Sequence, residues 1–83
     1  VREPGGTGAC VLRIPALLAE PEAMKTRIVR RAIEAVRGDL RRIGFEHVDR
    51  ILALAAAAEG DGRLQVPGVD VFRSFEWLRF APW

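Results

Sequence analysis

Around Gly60–Gly62 the spacing of apolar residues changes from every third or fourth position to every second. That switch limits the fold more than any other feature of the chain, because a 3.6-residue period builds helices and a two-residue period builds strands. Helical patterns followed by strand patterns predict an α+β domain: two principal amphipathic helices, then a short antiparallel β-hairpin or meander.

Prolines and glycines mark the boundaries. Cys10–Ile14 reads as a short edge strand ended by Pro15. Pro15 and Pro21 stand where first-turn helix prolines belong, since their missing N–H would be unbonded there anyway. They predict a short helical turn over Ala16–Glu20 and a full helix over Pro21–Arg37, closed by Gly38. On that helix Met24, Ile28, Val29, Ala32, Ile33 and Val36 fall on one half at about 100° per residue. The connector Asp39–Gly44 sends Leu40 and Ile43 inward and Arg41 and Arg42 outward. A second helix is predicted from Phe45 to Glu59, with Val48, Ile51, Leu52 and Ala55 as its buried stripe and Gly60 and Gly62 as its stop. Arg63–Val66, a Pro67-Gly68 turn and Val69–Phe75 then read as a hairpin. A turn at Glu76-Trp77 leads to a third strand over Leu78–Phe80. The aromatics Phe72, Phe75, Trp77 and Phe80 are expected mainly in the core, with base stacking as the alternative use and Arg73 and Arg79 interleaved among them.

A chain of 83 residues makes one small domain. Residues 1–11 are assigned to a flexible tether and 12–83 to a single helical plus β-hairpin domain. The small size and the start at Val1 suggest a piece of something larger. A lone cysteine, Cys10, cannot form an intrachain disulfide, so a reducing, cytoplasmic setting is expected. The longest apolar run, Ile51–Ala58, is far short of the roughly 20 residues a membrane span needs. No secretory signal is expected either, because the first residues are Pro/Gly-rich.

The net charge is only +2, but Lys25–Arg42 carries seven basic residues against two acids. Twelve of the thirteen basic residues are arginine, whose planar fork suits phosphate better than an ammonium does. Arg27, Arg30, Arg31 and Arg37 on the helix, with Arg41 and Arg42 in the connector, are the candidate phosphate contacts. A solvated helix face explains the same residues. Other chemistry is scarce. His47 and Cys10 cannot make a metal site, which needs three or four converging ligands. Gly5-Gly6-Thr7-Gly8 lacks the strand before and the helix after that phosphate loops require. No catalytic residue and no metal ligand is assigned.

The order of short segments carries a resemblance. Leu12-Arg13-Ile14-Pro15-Ala16-Leu17-Leu18, Arg27-Ile28-Val29-Arg30-Arg31-Ala32-Ile33, Phe45-Glu46-His47-Val48 and Ile51-Leu52-Ala53-Leu54 resemble the region after the catalytic domain of bacterial tRNA(Ile)-lysidine synthetases. Gln65-Val66-Pro67-Gly68-Val69, Arg73-Ser74-Phe75 and Leu78-Arg79 continue the likeness, which runs from about Leu12 to Ala81. The resemblance implies a parent ligase that uses ATP and Mg to attach lysine to the wobble cytidine of tRNA(Ile). It implies for this chain a non-catalytic tRNA-binding or linker role, without a cofactor of its own. The family's Ser-Gly-Gly-x-Asp-Ser loop is absent, so no catalytic residue carries over. The implied partners are tRNA(Ile) and the catalytic domain of the same enzyme, with a homodimer left open.

Two other classes fit the same residues. Helix, connector, helix and hairpin is also the order of a winged-helix DNA-binding domain, although the second helix then bears Glu46, Asp49 and Glu59 against Arg50 alone. A structural module that docks on a partner without touching nucleic acid is the third.

Overall fold

Pro21 and Gly38 bracket the longest helix. In the structure, a computed structural model describing residues 10–57 and 61–82, α2 spans Glu22–Arg37, with Pro21 extended at its N-cap. Gly38 ends it with φ 94°, a left-handed geometry that costs a residue bearing Cβ roughly 1–2 kcal/mol. Before α2 come strand β1 (Cys10–Arg13) and the short helix α1 (Ile14–Leu18) with Pro15 in its first turn. Residues 1–9 of the assigned tether, with the Gly5–Gly8 run, lie outside the described residues. The boundary placed between Val11 and Leu12 falls inside β1.

Helix α3 spans Phe45–Ala56 with Ala57 extended at its C-cap; the rest of the helix predicted to Glu59, and the stop at Gly60, lie outside the described residues. Arg73 caps α3. Its guanidinium donates to the carbonyl of Leu54 at 3.2 Å and to that of Ala57, placing a cation on the exposed carbonyls and the negative end of the helix dipole. At the other end His47 Nδ1 accepts the Gly44 N–H at 3.0 Å. The third helical residue thus reaches back to the N-cap as in a capping box, a structural use of the single histidine.

Strands β2 (Asp61–Val66), β3 (Val69–Ser74) and β4 (Trp77–Pro82) form the expected antiparallel meander. Gly62 lies in β2 rather than ending a helix. A Cβ there would sit 2.5 Å from Leu54 Cδ1 of α3. The second turn is Phe75-Glu76, one residue earlier than expected, because Trp77 already pairs with Ser74. Phe75 takes a left-handed φ of 54° there and is exposed.

β1 joins this sheet by pairing antiparallel with β4, Cys10 opposite Phe80 and Arg13 opposite Trp77, so the strand order is β1-β4-β3-β2. Alternation along each strand divides the side chains between two faces. Val66, Val69, Val71, Leu78 and Phe80 are buried on one face, where α2 packs over β1 and β4 and α3 over β2 and β3. Val29, Ile33, Val48 and Ile51 fill the layer from the helix side. Ile28 and Leu52 are only partly buried at its margin.

Met24 departs from its expected apolar half: it is 39% exposed. Helical spacing puts it about 60° from Arg27 and about 20° from Arg31, on the margin of the polar arc. Ile33→Ala should therefore cost roughly 2–4 kcal/mol as a fully buried truncation, whereas Met24→Ala should cost less than about 0.5 kcal/mol. Urea melts of the two variants check the contrast; equal losses would mean that α2 is rotated on the sheet.

Candidate nucleic-acid interface

The rotation of α2 that buries Val29, Ala32 and Ile33 turns the opposite arc to solvent. Arg27 and Arg31 are exposed and Arg30 is partly so, with Glu34 the one acid among them. Helical spacing places the three arginines within about 100° of arc. Among the described residues no side-chain hydrogen bond or ion pair engages Arg27, Arg30 or Arg31. Three guanidiniums against one carboxylate make a locally positive surface whose forked donors are unspent.

Arg37 is different. Its guanidinium donates to the Arg41 carbonyl at 2.5 Å and pairs with Asp39 at 3.3 Å. Its stem lies so close to the β2–β3 turn that a Cβ on Gly68 would meet Arg37 Nε at 2.8 Å. The side chain is only 16% exposed. Arg37 thus ties the end of α2 to the following connector and to the hairpin. Asp39 also accepts the Arg41 N–H at 3.1 Å, which holds the turn that displays Arg41 and Arg42. Both are exposed, and Arg42 adopts a left-handed φ of 64°. The six arginines therefore divide into an open helical arc (Arg27, Arg30, Arg31), an exposed turn (Arg41, Arg42) and a tie between elements (Arg37). The Asp two residues beyond Arg37 is the sequence signal for that last role.

The sheet face away from the helices holds a second arrangement. Its central row runs Val11, Arg79, Phe72 and Arg63 across β1, β4, β3 and β2. Arg63 lies over the Phe72 ring at 5.3 Å and pairs with Asp70 at 3.3 Å. Gln65 donates to the same carboxylate at 2.7 Å. In the next row Arg13 stands opposite Trp77 and lies 3.7 Å from Glu76. Of the aromatics expected mainly in the core, only Phe80 is fully buried; Trp77 is 43% exposed. Arg73, by contrast, leaves the aromatics and faces the helices. Strict alternation within Val69–Ser74 and Trp77–Pro82 was the available signal for this division.

Cys10 is buried, and among the described residues no group of three or more His, Cys, Asp or Glu could hold a metal ion. No step involving ATP or magnesium is assigned to these residues. No helix among the described residues is long and apolar enough to cross a membrane.

Residues 12–79 match the family model described as the TilS substrate binding domain. A tRNA(Ile)-lysidine synthase of Solibacter usitatus is 53% identical over 76 residues, covering 92% of this chain and 17% of that protein. A tRNA(Ile)-lysidine synthase of Geobacter sulfurreducens is 37% identical over 75 residues, covering 89% of this chain and 16% of that protein. The chain thus spans about a sixth of the length of these curated relatives. No solved structure matches it significantly.

The division among the arginines is measurable. Arg37→Ala should lower stability by roughly 1–2 kcal/mol through lost hydrogen bonds to a charged donor, while Arg27→Ala should change it by less than about 0.5 kcal/mol. Thermal or urea melts decide this; an Arg37 variant as stable as the parent would return that side chain to the open arc.

Proposed function

Because the chain belongs to the TilS substrate-binding domain family, we propose that it is the non-catalytic tRNA-binding part of a tRNA(Ile)-lysidine synthetase. In that reading the parent enzyme attaches lysine to the wobble cytidine of tRNA(Ile), with ATP and Mg bound by another domain. This domain grips the RNA body and abuts the catalytic domain in the cytoplasm; a second copy is not required. The observation that carries the reading is the arc of exposed Arg27 and Arg31 and half-exposed Arg30, without side-chain partners among the described residues. Phosphates are the chemistry that uses several forked cations without a matched set of acids. Arg41 and Arg42 extend the contact beyond the helix end. Arg37 acts indirectly, by holding that turn.

The winged-helix alternative requires α3 to read a groove. Its solvent side presents Phe45, Glu46, Asp49, Arg50 and Ala53, and paired carboxylates beside a phosphate backbone oppose binding. A docking role without nucleic acid leaves the arginine arc without a counter-charge. The RNA reading is therefore favoured over both.

If the arc meets phosphates, tRNA affinity should fall steeply with salt, each contact contributing about 0.7–0.9 to the slope of log K against log salt. Arg30→Ala with Arg31→Ala should lower that slope by about 1–2 and weaken binding across many tRNA sequences without unfolding the chain, since alanine favours helix. Glu46→Ala with Asp49→Ala should leave binding equal or tighter. Filter binding of the full chain over a salt series checks both pairs. An unchanged slope for the arginine pair in a folded variant would leave the arc as solvated surface.

A further inference from the structure

The outer face of the sheet combines aromatic rings with arginines. Phe72 and Trp77 present aromatic rings, and Arg13, Arg63 and Arg79 surround them in register. No described element covers this face. The acids near it are already engaged: Asp70 by Arg63 and Gln65, Glu76 by Arg13. Arg79 is exposed, sits between Val11 and Phe72, and has no side-chain partner among the described residues. Trp77 is its neighbour two residues along the same strand and face.

We infer that this face is a second RNA site, distinct from the α2 arc, which takes unpaired nucleotides by stacking a base on Trp77 and placing its phosphate on Arg79. The inference rests on the reading that the domain binds RNA. A protein partner with an apolar surface would bury Arg79 without a counter-charge, which is costly. A nucleotide supplies both a π-face for the ring and an anion for the guanidinium. Duplex RNA does not suit the face, because its bases are stacked on one another and unavailable to a ring. The two sites lie on opposite faces of the domain, one on the helix side and one on the outer face of the sheet. Between β1 and the helices lie two shallow hollows that share Leu12 and Ile28, one bordered by Arg31 and the other by Arg13 and Glu20. An RNA can therefore lay paired phosphates on α2 and carry an unpaired segment over β1 onto the sheet.

The test uses the full chain with Trp83→Phe, so that Trp77 is the one tryptophan, and two probes: an unstructured oligoadenylate and a blunt A-form RNA duplex. The oligoadenylate should quench Trp77 emission. Trp77→Ala should weaken its binding roughly 5- to 50-fold, the effect of losing one stacked base, and Trp77→Phe should restore most of the loss. Arg79→Ala should weaken it too and lower the salt slope by about one contact. Duplex affinity should be unmoved by Trp77→Ala and should respond instead to Arg30→Ala with Arg31→Ala. If Trp77→Ala leaves oligoadenylate affinity within about twofold in a variant with an unchanged melt, below the loss of one stack, the inference fails while the α2 reading stands. Loss of oligoadenylate binding with no effect of the α2 pair on the duplex has the reverse meaning. Should Trp77→Ala not fold, an Arg79→Ala variant with unaltered oligoadenylate affinity overturns the proposal. Polyglutamate displacing the oligoadenylate equally well at matched charge also overturns it, in favour of a face for acidic proteins.

Discussion

The domain depends on the covering of β4 by α2. β4 is hydrogen-bonded on both sides, to β1 and to β3, and its inner side chains Leu78 and Phe80 are fully buried in one cluster with Val29 and Ile33 of the helix. Each such side chain contributes roughly 1.5–3 kcal/mol through removal from water, so α2 cannot rotate without exposing several at once. That constraint has a functional consequence. In a helix of 3.6 residues per turn, holding Val29 and Ile33 on the sheet obliges Arg27 and Arg31 to face outward. The positive surface thus follows from the packing of the core.

Arginine serves three separate purposes in this small chain, and neighbours decide which. Arg73 is inward on β3 and meets the carbonyls at the end of α3; Arg37 folds over Gly68 and ties three segments. Both spend their donors on backbone oxygen or carboxylate, which a flat guanidinium with five N–H groups does at several angles simultaneously. Arg27, Arg30, Arg31 and Arg79 have no such partners among the described residues, and their donors face outward. A count of positive charge treats all of these alike. Only the second group is available to an anion outside the domain.

Family membership and surface physics meet at different scales. The match over residues 12–79 places the chain in its family. It does not distinguish Arg37 from Arg31. That distinction comes from what each side chain touches.

Local rules made the element boundaries legible. Pro15, Pro21 and Gly38 act through their own φ preferences, Pro67-Gly68 through a turn that puts Gly68 at φ 79°, and the apolar stripe of α2 through its period. All are properties of a few consecutive residues, so the sequence by itself determined the two long helices, the first hairpin, the short edge strand and the α+β class. The exposed arginines of α2 were legible for the same reason. The tertiary structure decided the rest. β1 pairs with β4 across most of the chain's length, and no window of sequence contains both strands. α3 ends at Ala56, and the side chain that caps its last carbonyls is Arg73, sixteen residues after Ala57. Phe75 takes a left-handed turn position that its own preferences oppose, since the register of Ser74 with Trp77 leaves it no other. Whether an arginine is spent or free, and which rings face away from the helices, depends on residues far apart in sequence that meet only when the sheet and helices are packed.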